Sequence, residues 1–184
     1  QLFEYDKNFL IIGSMNAITN KEIFSFIKSN QLWLGNKTSS QQMFFEAPKE
    51  YTEKVMRTKP QGMWWRIIDG KPFVGIHTAL WFTNLEHGRR HQPLSLMTMA
   101  DNKRFNTRIK KNEESYVEYD NYNAIEIPYT NAIPSDYEGV MGVPISFLDR
   151  YNPEQFEILG NDYNIKEGFL PELIKANWTV KIDR

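Results

Sequence analysis

The sequence has no cysteine in 184 residues. That removes disulfides, thiolate metal sites and a cysteine nucleophile together. It also fits a reducing compartment, with the cytoplasm the expected location. No apolar run approaches the roughly 18 residues that a membrane-spanning helix needs, and no signal-peptide pattern opens the chain. Charge of one sign is lacking too: 22 Lys and Arg against 23 Asp and Glu leave a formal net charge of −1. No global field therefore demands a polyanionic partner, and any surface for nucleic acid has to be local. Histidine is scarce, with 3 in the chain. His87 and His91 stand four apart, but Gly88 interrupts them, no third ligand is specified and Glu86 is not at a zincin spacing. The pair reads as solvated loop histidines and no metal site is expected. There is no nucleophile elbow and no Walker loop. Gly139 and Gly142 form only a G-x-x-G, which reads as a strand kink. The carboxylates are scattered, with no acid–base pair among them.

What is present is a substantial core: 41% hydrophobic and 14% aromatic residues, enough for one domain or a large part of one. Asn8–Gly13, NFLIIG, is apolar at consecutive positions and reads as the buried centre of a parallel sheet. Thr19-Asn20-Lys21-Glu22 opens a helix, with Thr19 as cap, Glu22 as capping-box partner and Ile18 with Ile23 as a hydrophobic staple. Leu32–Gly35 follows as a second strand, so this part reads strand–helix–strand. Phe44 and Phe45 indicate a short strand, and a polar section runs on to Pro60. Asp69-Gly70 between two apolar runs predicts a hairpin, and Thr78–Asn84 a further strand. The texture changes near residue 86, a soft boundary between residues 1–85 and a basic, loop-rich 86–184. Ala124–Pro128 reads as a short strand, and Pro171–Ala176 as a weak helix before a last strand at Trp178–Ile182. Gln1–Tyr5 has the look of a helix in progress, and the expectation is a portion of a longer protein.

Asp136–Gly160, DYEGVMGVPISFLDRYNPEQFEILG, carries the densest punctuation. Val140–Ile145 reads as a strand broken by Gly142 and Pro144, and Ser146–Tyr151 as a turn or two of helix. Asn152-Pro153-Glu154-Gln155 reads as a helix N-terminus with Asn152 as cap and Gln155 able to complete a capping box. Chemistry is indicated elsewhere. Lys103, Arg104, Arg108, Lys110 and Lys111 crowd into nine residues and, with Arg89 and Arg90, make either a patch able to contact phosphates or a solvated surface whose charge Glu113 and Glu114 partly offset. Trp81 and Phe82 close a strand where an open α/β sheet binds ligands; they read either as ordinary core aromatics or as a stacking face for a base. Asn16, after the first strand, offers a donor and an acceptor.

These runs, in order, resemble the EcoRI-type adenine-specific DNA methyltransferase family: FLIIGSMNAITNKEIF (Phe9–Phe24), LWLG (Leu32–Gly35), WFTNLEH (Trp81–His87), YDNYNAIEI (Tyr119–Ile127) and the whole of Asp136–Gly160. The resemblance implies an enzyme that uses S-adenosyl-L-methionine to methylate the exocyclic N6 of adenine in double-stranded DNA, within restriction–modification or a phage or mobile-element setting. It implies an α/β fold forming part of a Rossmann-like methyltransferase sheet with antiparallel edge strands, followed by a loop-rich basic region. It implies that Asn16 and Ala17 lie near the cofactor or target-base pocket, and that Trp81 and Phe82 line the base pocket. Arg89, Arg90, Lys103, Arg104, Arg108, Lys110 and Lys111 are implied to face the DNA backbone. In that family an Asn/Asp-Pro-Pro-aromatic motif holds the adenine and precedes the segment corresponding to Gln1, with the glycine-rich cofactor loop further upstream. This chain contains neither, its sole Asn-Pro being Asn152-Pro153, so no catalytic residue is assigned. The alternatives are a DNA-recognition module or inactive relative lacking the catalytic motifs, and an α/β domain with an unrelated small-molecule role.

Overall fold

A computed structural model describes residues 2–37, 41–111, 115–168 and 170–175. The chain forms two units, Gln1–His87 and Gly88–Arg184. The architecture is mixed α/β, built from small sheets that are antiparallel except for one two-stranded pair.

The first unit is organised on β6 (Ala79–Thr83), flanked by β1 (Leu10–Ser14) and β2 (Trp33–Leu34) in the order β1-β6-β2. Both neighbours are antiparallel to it, with Leu10 opposite Thr83, Ser14 opposite Ala79 and Leu34 opposite Phe82. β1 and β2 are thus parallel to each other and joined through helix α1 (Lys21–Lys28). The strand–helix–strand unit is present, with a third strand inserted into it. NFLIIG is not the buried centre expected of it: Leu10 is 54% exposed and Ile11 and Ile12 42% each, on an edge strand. Ala79, Leu80, Phe82 and Thr83 are buried instead, so the strand hydrogen-bonded on both sides takes the centre. A methyl group on Gly13 would come within 2.9 Å of the Phe82 ring, which is why that position has no side chain. The α1 cap is Asn20, one residue later than expected. Its side chain accepts from the Glu22 and Ile23 N–H groups, whereas the Thr19 hydroxyl turns back to the Asn16 carbonyl at 2.9 Å. Phe24 and Ile27 form the buried face of α1.

Between β2 and β6 a second three-stranded sheet forms, in the order β3-β5-β4, from β3 (Met43–Phe45), β4 (Trp65–Ile68) and β5 (Lys71–Ile76). Asp69 and Gly70 both have positive φ, 49° and 77°. They make the two-residue turn that the Asp-Gly pair predicts. The polar section before it contains an unforeseen helix, α2 (Lys49–Thr58), which buries Thr52 and Val55.

In the second unit the core gathers Ile109, Tyr116, Ile125, Ile127, Ala132, Ile133, Phe147 and Tyr151. Regular elements are few: α3 (Met99–Phe105), a parallel pair of β7 (Ile125–Glu126) and β8 (Met141–Gly142), and α4 (Asp162–Lys166). Helix α3 lies in sequence expected to be loop. Ile145–Arg150 is a 3-10 turn, and a shorter one spans Pro171–Leu173. The strand expected at Trp178–Ile182 lies outside the described residues, as does Ala176. Asn152 starts no helix. Its buried side chain accepts from the Glu154 N–H at 2.8 Å, and one turn closes at Phe156. Gln155, expected to complete a capping box, instead pairs twice with the Leu94 backbone at 2.7 and 3.0 Å. Gly142 keeps negative φ. Its role is close approach, since a Cβ there would sit 2.5 Å from the Tyr119 hydroxyl.

Tyr116 ties this core together. Its hydroxyl donates to the buried Ala132 carbonyl at 2.7 Å. Burial, and secondarily the Asp136 carboxylate, push its pKa up to about 12. A raised phenol pKa stabilises the fold fully below the unfolded value near 10, and that contribution is lost as pH rises towards 12. Urea unfolding across this range should show a steep alkaline loss. Tyr116→Phe should lower stability by about 1 kcal/mol at neutral pH and flatten the loss between pH 10 and 12. An unchanged alkaline limb would contradict the assignment.

Candidate nucleic-acid interface

Helix α3 is charged along its axis. Thr98 caps it, its hydroxyl oxygen accepting from the Asp101 N–H at 3.1 Å, and the Asp136 carboxylate accepts from the Met99 N–H at 2.7 Å. Both carboxylates therefore sit at the positive end of the helix dipole, and Lys103 and Arg104 fall in the last turn at its negative end. The inner face is polar but satisfied. Asn102, with no exposed surface, donates to the Met97 and Ala132 carbonyls at 3.3 and 3.5 Å. Asn106 donates to the Asn102 side chain at 3.3 Å and accepts from the Arg108 N–H at 3.1 Å.

This asparagine ladder fixes which side of the segment faces out. Lys103, Arg104, Arg108, Lys110 and Lys111 are all exposed. Three of them lie against aromatic rings: Lys103 at 5.7 Å from Tyr116, Arg104 at 5.0 Å from Phe105 and Arg108 at 5.2 Å from Tyr129. Among the described residues none of the five forms an ion pair with a carboxylate. Exposed cations of this kind are suited to neutralising an anionic ligand.

The other expected residues are arranged differently. Arg90 is 8% exposed and Arg89 half-buried, within the 3-10 turn Gly88–His91. Consecutive side chains in such a turn point about 120° apart, so the two cannot share one outward face, and Arg90 is inside. Trp81 and Phe82 alternate across β6. Phe82 is buried over Gly13, and Trp81 is half-buried with its Cβ where a methyl on Gly35 would fall. Asn16 is exposed and Ala17 half-buried in the 3-10 turn after β1. Because β1 and β6 are antiparallel, the turn holding Asn16 and Ala17 adjoins the start of β6, beside Thr78. Trp81 and Phe82 lie further along the strand, towards its opposite end. The four do not converge at one carboxyl edge as expected. His87 meets the Leu34 carbonyl at 2.9 Å and His91 the Glu154 carboxylate at 3.0 Å.

The family described as adenine-specific methyltransferase EcoRI matches residues 1–181. The chain belongs to this family. It is 43% identical over 161 residues to the type II methyltransferase M.EcoRI of Escherichia coli, a match that covers 86% of the chain and 44% of that protein. It is 34% identical to M.MgeORF184P of Mycoplasma genitalium, covering 100% of the chain and 53% of the relative. M.MpnI of Mycoplasma pneumoniae is 33% identical over 86% of the chain and 45% of its own length. The chain thus spans about half the length of the curated relatives it matches. No solved structure matches. The turn after β1, where the cofactor or target-base pocket was expected, has its first two N–H groups occupied. The Met15 N–H is taken by the Thr78 carbonyl and the Asn16 N–H by the Ser14 hydroxyl. No glycine follows Gly13 until Gly35.

Substitution should separate the two faces of α3. Asn102→Ala removes the partner of two buried groups and one part-buried carbonyl and should cost about 2 kcal/mol. The double variant Lys103→Ala/Arg104→Ala should stay within about 0.5 kcal/mol of the parent. Chemical denaturation measures both, and a large loss in the double variant would mean the cations are structural.

Proposed function

We propose that this chain is a portion of an S-adenosyl-L-methionine-dependent DNA adenine-N6 methyltransferase acting on double-stranded DNA in the cytoplasm. Its first unit contributes edge strands of a Rossmann-like methyltransferase sheet, and its second a DNA-facing surface. The observation that carries the reading is the carboxylate-free strip Lys103–Lys111, held outward by a buried asparagine ladder in a chain of this family. Exposed Leu10, Ile11 and Ile12 on the edge strand β1 support the idea of a sheet that continues. In this reading Arg89 contacts phosphate, and Arg90 would need to leave its buried place to do so. Asn16, Ala17, Trp81 and Phe82 would border the base and cofactor pocket only in company with residues outside this chain. The role in methyl transfer is positional: orientation of the target amino group, with the groups that bind donor and base elsewhere. A second reading, a DNA-recognition module or inactive relative, is favoured by the occupied N–H groups after β1.

Duplex binding titrated across salt tests the DNA surface. Affinity should fall steeply with salt, and Lys103→Ala/Arg104→Ala/Lys110→Ala should reduce the log–log slope by about 3, roughly one per phosphate contact. No binding at low salt would remove both readings. Calorimetry with S-adenosyl-L-methionine alone should give no binding heat for this chain. Saturable binding would overturn the placement of the cofactor residues outside it.

A further inference from the structure

The sheet β3-β5-β4 and helix α2 carry basic groups of their own. Lys49 is paired with Glu53 and Lys71 with Glu46, both at 3.8 Å. Lys54, Arg57, Lys59 and Arg66 are exposed, and among the described residues none has a carboxylate partner. The two remaining acids are Glu50, in the first turn of α2 and four residues before Lys54, and Asp69 in the hairpin turn, three residues after Arg66. Lys54 and Arg57 are three apart and share one side of the last turns of α2. Lys59 follows at the helix end.

Aromatic groups interleave with these cations and hold two of them. The Lys59 ammonium lies 4.7 Å from the Trp64 ring centre, and Trp64 meets His77 at 4.6 Å. The Trp65 indole N–H donates to the Lys59 carbonyl at 3.0 Å. The Arg66 Nε–H donates to the Gly62 carbonyl at 2.8 Å, while its guanidinium carbon sits 4.4 Å from the Phe44 ring centre. One backbone bond and one ring fix the guanidinium plane and leave its terminal N–H groups outward, an arrangement suited to two oxygens of a phosphate or a base edge. Beside it the hairpin outruns the third strand. β3 pairs only with Val74–Ile76, so Arg66–Ile68 and Lys71–Phe73 form a two-stranded ribbon. It is about 10 Å long by strand rise, of a width that a DNA major groove admits.

We propose that this corner is a second nucleic-acid contact, distinct from the Lys103–Lys111 strip: Lys54, Arg57 and Lys59 contact backbone phosphates while the ribbon carrying Arg66 enters a groove of duplex DNA. The proposal rests on the reading of the chain as a DNA-acting protein. Duplex DNA is the partner because it alone pairs closely spaced phosphates with a groove of ribbon width. A protein partner held by Ile67 and Ile68 would bind with little dependence on salt.

The test uses the whole chain and random-sequence duplex DNA, titrated across salt, with variants whose side chains are exposed. Arg57→Ala/Lys59→Ala should reduce the salt slope by about 2 without changing the melting temperature. Arg66→Ala should weaken binding about tenfold, and Arg66→Lys should restore the slope but not the full affinity. If Lys103→Ala/Arg104→Ala lowers the slope while Arg57, Lys59 and Arg66 variants bind as the parent does, this second contact is wrong and the first stands. If the parent chain binds no duplex at low salt, both fall.

Discussion

The first unit depends on two side chains at the end of β6 that behave as extra backbone. The Thr83 hydroxyl, 2% exposed as a residue, donates to the Phe9 carbonyl at 2.6 Å and accepts from the Leu85 N–H at 3.0 Å. The Asn84 amide accepts from the Phe9 N–H at 2.9 Å and donates to the Lys7 carbonyl at 3.0 Å. A strand ladder would end where β1 begins, leaving these groups to water or unpaired. The Thr-Asn pair extends it and fixes the register of β1, since a slip by one residue would turn every side chain to the other face. With that register set, Gly13 meets the Phe82 ring and the core closes on α1.

The second unit solves the same problem in a chain with little regular structure. Its few strand residues cannot satisfy the buried backbone, so side chains do: Asn102, Asn106 and Tyr116 all serve the loop around Ala132. A fully paired polar network of this kind fixes orientation more sharply than apolar packing does. The outward face of α3 follows from it. A charged surface whose geometry is set by buried amides does not depend on its own cations for that geometry.

Local chemistry was legible in the sequence wherever it was self-contained. Asp69-Gly70 specifies its hairpin because only positive φ closes that turn, and the Thr78–Asn84 strand and the helix after Asn20 follow from apolar spacing. What depended on a distant partner was not legible. Gln155 had the form of a capping-box residue, yet the Leu94 backbone, far off in sequence, offered two bonds in place of one. α2 and α3 were hidden because their buried faces are polar or narrow: Thr52 with Val55, and Asn102 with no buried apolar neighbour on its own helix. A hydrophobic period cannot report a helix held by amides. NFLIIG had the composition of a central strand, but composition does not reveal that β6 returns antiparallel and takes the middle. The basic strip was visible as composition. That Arg90 turns inward was not.

The position of β1 has a consequence for how the chain behaves in a tube. An edge strand presents a row of open N–H and C=O groups, and natural proteins blunt such edges with charge, proline or a bulge. Leu10, Ile11 and Ile12 provide none of these. As concentration rises, the strand has the makings of a template for another copy, so folding competes with strand addition between molecules. Solubility then becomes a property of whatever covers that edge more than of the core beneath it. A chain can be internally well satisfied, as this one is at Thr83 and Asn84, and still leave an edge strand open.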